Sequence, residues 1–180
     1  MILDLGCGGN LHEGAVGVDI VGRPATAADI VCNLGFERIP VEDNSVDTII
    51  IHHFIEHIPG EVWYQESGKW QRHLPLVYLF NDIYRVLRHM GIIQVRVPIY
   101  PHIQSFQDPT HVPPFWTIET PYYFSGDYFS FRNVYGHTSR YYLRKKELGG
   151  AGGWWLDFEL VAIKNLPEDF PFLLKYEGVE

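Results

Sequence analysis

The sequence predicts an α/β domain built on an open, mostly parallel sheet that finishes in an antiparallel hairpin. Three observations carry this. Short apolar runs each end in a polar or glycine-rich loop, one stretch between them has a helical period, and a run of glycines separates the last two apolar runs. The 180 residues are 46% hydrophobic and 20% charged, enough apolar material for one packed core.

Met1 to Leu5 runs into a glycine cluster and is read as a buried strand. Ala15 to Ile20, Asp29 to Leu34 and the Ile-rich Val46 to Phe54 are read as the next three strands. Pro75 to Met90 changes period, with Leu76, Leu79, Phe80, Ile83, Val86 and Leu87 spaced by threes and fours, the stripe of an amphipathic helix. Gly91 is expected to cap that helix in a left-handed conformation. Ile92 to Val97 follows as a strand that Pro98 ends. Residues 100–137 are rich in proline and aromatics without a clean period and read as a packed excursion. Arg140 to Leu148 and Trp154 to Lys164 flank Gly149 to Gly153 and are expected to pair antiparallel.

The net charge of −8 argues against a partner held by its phosphates, so no nucleic acid is expected. Arg144-Lys145-Lys146 reads as a solvated strand face. No apolar stretch approaches the roughly 20 residues of a bilayer span, and the N-terminus shows no basic segment followed by an apolar run. Cys7 and Cys32 are too few for a disulfide framework. A cytoplasmic setting is expected.

Ligands in open α/β sheets bind beyond the carboxyl ends of the strands, and the chemically capable residues fall there. Gly6 and Gly8 let bare backbone approach a ligand. Leu11 stands where a dinucleotide fingerprint wants its third glycine, and the loop lacks the lysine of a P-loop. Asp19, at the second strand's end, has the chemistry to accept hydrogen bonds from vicinal ribose hydroxyls.

Asp4-Leu5-Gly6-Cys7-Gly8-Gly9-Asn10, Val16 to Ile20, Asp29 to Leu34 and Val46 to Ile58 resemble the successive motifs of class I S-adenosylmethionine-dependent methyltransferases. The stretch Asn81 to Arg88, Gly91 and Ile92 to Pro98 is similar to the next helix and strand of the small-molecule, type 11-like branch. The resemblance implies a Rossmann-like single domain over 1–180, with a cofactor-binding half (1–99), an aromatic substrate or lid excursion (100–137) and a hairpin and tail (138–180). It implies S-adenosyl-L-methionine as cofactor. Asp4, Gly6, Cys7, Gly8 and Asn10 would hold the amino-acid end, Asp19 the ribose, Ile20, Asn33 and Leu34 the adenine, and His52 the sulfonium end. The acceptor would be O or N of a small molecule. A non-catalytic cofactor-binding module and an NAD-type oxidoreductase are the alternatives.

Two departures stand out. Only six residues, Asn10 to Ala15, separate Gly9 from the second strand, and the next crossover, Val21 to Ala28, is nearly as short, so two covering helices are reduced to loops. One sheet face near these strands is thereby left poorly covered, and a second copy of the chain or the aromatic excursion is expected to cover it. Methionine also sits directly on the first strand, leaving the excursion as the candidate lid.

His53 and His57 are candidate general bases. With Glu56 they would share one face if that segment turns helical. The same trio also suits structural hydrogen bonds or a divalent metal, although no metal is assigned. Asp108-Pro109-Thr110-His111 offers Asp108 or His111 to orient an acceptor, with a proline-fixed Asx turn as the plain alternative. Phe115, Trp116, Tyr122, Tyr123, Phe124, Tyr128 and Phe129 would wall a flat substrate, though most are expected to be packing.

Overall fold

The computed structural model describes residues 1–125 and 135–165. A seven-stranded sheet carries β1 (Ile2–Leu5), β2 (Val16–Asp19), β3 (Ile30–Val31), β4 (Val46–His52), β7 (Leu87–Pro98), β8 (Tyr141–Gly149) and β9 (Trp155–Ala162), in the order β3-β2-β1-β4-β7-β9-β8. The first five in that order pair parallel, and β9 runs antiparallel to both neighbours. The predicted open sheet and its closing hairpin are both present.

Cross-strand register sorts the side chains into two faces. Leu3, Leu5, Val18, Ile49, Ile51, Ile93, Val95, Phe158 and Leu160 lie on one face and are buried. The helix α1 (Pro75–Val86) covers it with Leu79, Phe80, Ile83 and Val86. The aromatic excursion extends the same layer: Phe124 stacks on Phe80 at 3.9 Å, and Trp116 stacks on both Phe124 and Phe158. Among the described residues, the core aromatics of the excursion, Trp116 and Phe124, therefore pack on the helix side of the sheet and not on the bare face. That face is bare but polar. Arg96 makes a bidentate pair with Asp157 at 2.7 and 3.0 Å, Gln94 reaches Glu159, and Arg144 holds Glu159 at 2.8 Å. Ion pairs line much of this side of β7, β8 and β9, whereas Val31 on β3, beside the short crossovers, is 62% exposed.

The short crossovers 6–15 and 20–29 contain no helix, as expected, and neither does 32–45. The last is tied down by charge instead. Buried Asp82 on α1 accepts from the Ile39 amide at 2.7 Å and from Arg85 Nε at 2.6 Å. Arg85 in turn donates to the carbonyls of Ile39 and Val41 and to Asp43. One guanidinium fork thus does for this loop what an amphipathic stripe does for a helix.

Several boundaries differ from the sequence reading. β3 keeps only two residues, because the chain folds back at once through Leu34 N to Cys32 O and Phe36 N to Asn33 O. α1 stops at Val86, since Leu87 turns extended (φ −64°, ψ 139°) and pairs with Val46 in the sheet. Gly91 is no helix cap. Met90 takes the left-handed conformation (φ 64°), while a Cβ on Gly91 would meet Leu87 Cδ2 at 2.9 Å and Arg88 O at 3.0 Å. A hairpin of β5 (Val62–Glu66) and β6 (Lys69–His73) was not anticipated. Its turn uses Ser67 and Gly68, both at positive φ, a serine–glycine signal that was available in the sequence. Among the described residues no helix is long and apolar enough to cross a membrane.

Asp82→Ala removes the buried carboxylate that holds both Arg85 and the Ile39 amide, leaving the largely buried Arg85 charge with only the exposed Asp43 as its acidic partner. We expect a loss of about 3 kcal/mol, seen as a lower urea midpoint with an unchanged slope. An unaltered midpoint would show that the loop 39–43 is held by something else.

Candidate functional site

The carboxyl ends of β1, β2 and β4 meet at one edge of the sheet, and the turn after β1 sits at their centre. Gly6 has φ +68°, and its missing side chain is filled by Phe54: a Cβ there would lie 2.1 Å from Phe54 Cγ. This corrects the reading of Gly6 as a bare approach for a ligand. Its amide is also engaged, donating to Val18 O at 2.8 Å. Gly8 (φ +51°) and Gly9 differ, with nothing within 4 Å of where a Cβ would stand. The turn is pinned from behind, since the Gly8 amide donates to Asp19 Oδ2 at 2.9 Å and the Gly8 carbonyl accepts from Ala27 at 2.6 Å. Asp19 Oδ1 takes the Ile20 amide at 2.7 Å. A carboxylate offers about four lone-pair positions, so Asp19 keeps capacity for a further donor.

Cys7 points inward, its sulfur beside Gly17, and burial pushes its thiol up, helped by the Asp19 and Asp4 charges. Burial likewise pushes the Cys32 thiol up to about 11. Both are packing residues at neutral pH. Asn10 is exposed on the loop, its amide bonded to Cys7 O.

Asp4 is buried on the open face and is answered by His12, whose amide donates to Asp4 Oδ2 at 3.0 Å and whose Nδ1 lies 2.7 Å away. His12 escaped the sequence reading. A carboxylate inside a strand requires a partner, and the nearest basic residue after the glycine turn is this histidine. Its ring meets His52 edge-on at 4.8 Å. Burial pushes His52 below the ordinary imidazole range, and the charges of His12 and Arg96 add to it. Asp157 lies close by; burial alone would raise its carboxyl, but hydrogen bonds from Arg96 and Trp155 hold it below the usual range.

Ile20, Asn33 and Leu34 come together, as anticipated, around a cavity of about 180 Å³ that Phe54, His57 and Ile58 complete. That volume lies below the roughly 300–1,000 Å³ of whole-ligand pockets and suits one ring system. Pro59 borders both this cavity and a larger apolar cleft of about 670 Å³, walled also by Leu74, Leu76, Val112, Pro113 and Phe124.

Beyond β4 the chain makes a short 3-10 turn, Ile55–His57. His53 sits at φ +52°, its ring stacked on Trp154. The expected trio is rearranged. Glu56 stands between His53 Nδ1 at 3.7 Å and His111 Nε2 at 3.9 Å, and the His57 ring meets His111 at 4.8 Å. Glu56, His57 and His111, not His53, Glu56 and His57, form the cluster. His111 is brought in by backbone bonds from Val112 to Glu56 O and from Gly60 to Pro113 O, both at 3.0 Å. Asp108 makes the plain Asx turn: its Oδ1 accepts from the Thr110 amide at 2.8 Å and hydroxyl at 2.6 Å, bonds that lower its carboxyl. Of the proposed aromatic wall, Trp116 and Phe124 are core, Phe115 and Tyr123 are exposed, and Tyr122 lies under Lys146. Tyr128 and Phe129 fall outside the described residues.

No protein-family model and no curated protein matches the sequence. Solved structures match by shape. A chain of the complex between the Haloferax volcanii Trm112 methyltransferase activator and a methyltransferase superposes with TM-score 0.56 at 13% identity, over 92% of this chain and 83% of that one. An S-adenosylmethionine-dependent methyltransferase from Archaeoglobus fulgidus gives 0.53 at 15% identity, over 89% and 85%. The 1,6-didemethyltoxoflavin-N1-methyltransferase of Burkholderia thailandensis, solved with 1,6-didemethyltoxoflavin and S-adenosylhomocysteine, gives 0.50 at 12% identity, over 91% and 71%. At these identities the likeness is one of fold.

The His52 environment predicts a pH effect. The fold favours neutral imidazole, so its contribution is complete above the unfolded value of about 6.5 and is lost as pH falls through the depressed folded value. Between pH 7 and pH 5 the melting temperature of the native chain should fall more steeply than that of His52→Gln. Parallel curves would remove His52 as the cause.

Proposed function

We propose that this chain, which has the fold of S-adenosylmethionine-dependent methyltransferases, binds S-adenosyl-L-methionine at the carboxyl edge of β1, β2 and β4 and methylates O or N of a small molecule. The observation that carries this reading is the convergence of Ile20, Asn33 and Leu34 on one ring-sized cavity directly after Asp19. Ile20 and Leu34 present apolar surface to the adenine, and the Asn33 amide has both a donor and an acceptor for its edge. Asp19 takes the ribose hydroxyls on its remaining lone pairs. The open positions at Gly8 and Gly9, with Asn10 beside them and Cys7 and Asp4 behind, accept the amino-acid end. Gly6 serves the pocket indirectly, by seating Phe54. A neutral His52 faces the sulfonium without the repulsion that an imidazolium would add.

The acceptor reading rests on the cleft of about 670 Å³, which lies within the range for small-molecule sites. Pro59 joins it to the ring cavity, and Val112, Pro113, Pro114, Phe124, Tyr135 and His137 supply much of its wall. The neighbour from Burkholderia thailandensis, with a small acceptor and S-adenosylhomocysteine bound, is consistent with this class of substrate. The acidic balance of the chain disfavours nucleic acid as substrate, and a cytoplasmic enzyme acting on a metabolite is the setting we infer.

Methyl transfer is an in-line displacement, so holding the acceptor in register does much of the work. An acceptor O–H or N–H also has a proton to lose. His53, His57 and His111 are the candidate bases, all gathered about Glu56. His53 is the most open, with 42% of its side chain exposed.

Calorimetry with S-adenosylhomocysteine tests the cofactor reading. Asp19→Ala should weaken binding by about 1.5–3 kcal/mol, or roughly 10- to 150-fold; unchanged affinity would put the nucleoside elsewhere. Turnover of a metabolite panel tests the rest. His53→Ala should lower kcat about 10²- to 10⁴-fold with the cofactor still bound, and a cofactor-binding chain with no product would leave a binding module instead.

A further inference from the structure

Glu56 is a buried carboxylate with too few partners. The residue is 5% exposed, Oε2 has no hydrogen-bond partner among the described residues, and Oε1 is 3.7 and 3.9 Å from its two histidine neighbours, beyond hydrogen-bond length. An unpaired buried carboxylate is costly. His111 repeats the pattern: its side chain is 8% exposed and its Nδ1 is buried without a partner.

We propose that Glu56, His57 and His111 form a divalent-metal site of the two-imidazole, one-carboxylate kind, suited to Zn²⁺ or a similar first-row ion. One donor atom from each residue lies within 4.8 Å of the others. A tetrahedral ion with bonds of about 2.0–2.1 Å draws its donors to about 3.3 Å apart. Small side-chain rotations close that gap, and the ion supplies the partner that Glu56 lacks.

The surroundings prepare a ligand rather than a plain ion pair. His57 Nδ1 lies 3.2 Å from the Thr110 carbonyl, which only accepts, so Nδ1 carries the hydrogen and Nε2 the lone pair. The Thr110 hydroxyl, 3.0 Å from the same nitrogen, passes its own hydrogen to Asp108. Such outer hydrogen bonds to a carbonyl and onward to a carboxylate are how metal-binding imidazoles are oriented. The Asx turn at Asp108 thereby acquires a purpose, since it fixes the hydroxyl that fixes His57.

Three protein ligands leave a coordination position open. His57 also borders the ring cavity, so the site adjoins the cleft. There the ion would take an acceptor oxygen and make its hydroxyl more acidic, leaving His53 as the uncoordinated base. This use rests on the methyl-transfer reading; the binding of the ion does not.

The test is titration of the chelator-stripped full chain with Zn²⁺ by calorimetry and with Co²⁺ by visible absorption. The expected result is one ion per chain and the Co²⁺ bands of a nitrogen and oxygen site. His111→Ala and Glu56→Gln should each weaken binding about 100-fold or more, at least what loss of an outer-shell partner costs. His89→Ala, a histidine outside the cluster, should bind as the native chain does. Absence of stoichiometric binding, or binding that survives both cluster substitutions, overturns the proposal. If a variant fails to fold, the native chain's Co²⁺ spectrum and the rise of its melting temperature with added Zn²⁺ decide the question. S-adenosylhomocysteine titrated in parallel separates the two readings. Retained nucleoside binding without an ion sinks only the metal site, and an ion without nucleoside binding sinks only the cofactor pocket.

Discussion

The bare Cα of Gly6 is the constraint on which the functional edge depends. Because no side chain stands there, the Phe54 ring lies against the turn after β1 and locks the end of β4 to it. The chain then leaves β4 in a fixed direction, so that Ile55–His57 meets the 108–114 segment and is fastened to it by backbone bonds at Glu56 and Gly60. The ring cavity, the Glu56 cluster and the wall of the apolar cleft are all built on that one close approach. A methyl group at Gly6 would disturb each of them, although none of the three contains Gly6.

Much of the frame was legible in the sequence. β1, β2 and β4 follow from apolar runs ended by glycine, acid and histidine in turn, the last hairpin from two runs that flank Gly149 to Gly153, and α1 from its stripe. What periodicity could not give was where tertiary pairing overrides it. Leu87 continues the helical stripe, yet it is drawn into the sheet against Val46, and the helix ends one residue earlier than that stripe does. Asp29 to Leu34 reads as a strand of ordinary length, but backbone turns claim all but Ile30 and Val31 for the ladder. The Val62–His73 hairpin was missed because its aromatics, Trp63, Tyr64 and Trp70, are exposed and follow no clean alternation, so they carry little burial signal.

The site was legible in its members more than in its connections. The family resemblance put Ile20, Asn33 and Leu34 together, and the structure gathers them around one cavity. The bonds of Asp19 to Gly8 and of Asp4 to His12 were invisible, because a sequence shows where a carboxylate is but not which amide is already turned toward it. The Glu56 cluster shows the same limit. Local spacing pointed to His53 and His57 as its companions, while a partner 55 residues onward, His111, completes it through backbone pairing that no local rule reports.

The bonds that pin the glycine turn also bear on the thermodynamics of occupancy. Gly8 is fastened on both sides, to Asp19 and to Ala27, by bonds within the chain itself. A nucleoside reaching this edge would join a network already standing and so avoid the entropic charge of ordering a floppy segment. Arrival and departure should then leave the backbone of residues 6–10 nearly where it was, and the heat released would report direct contacts more than induced folding.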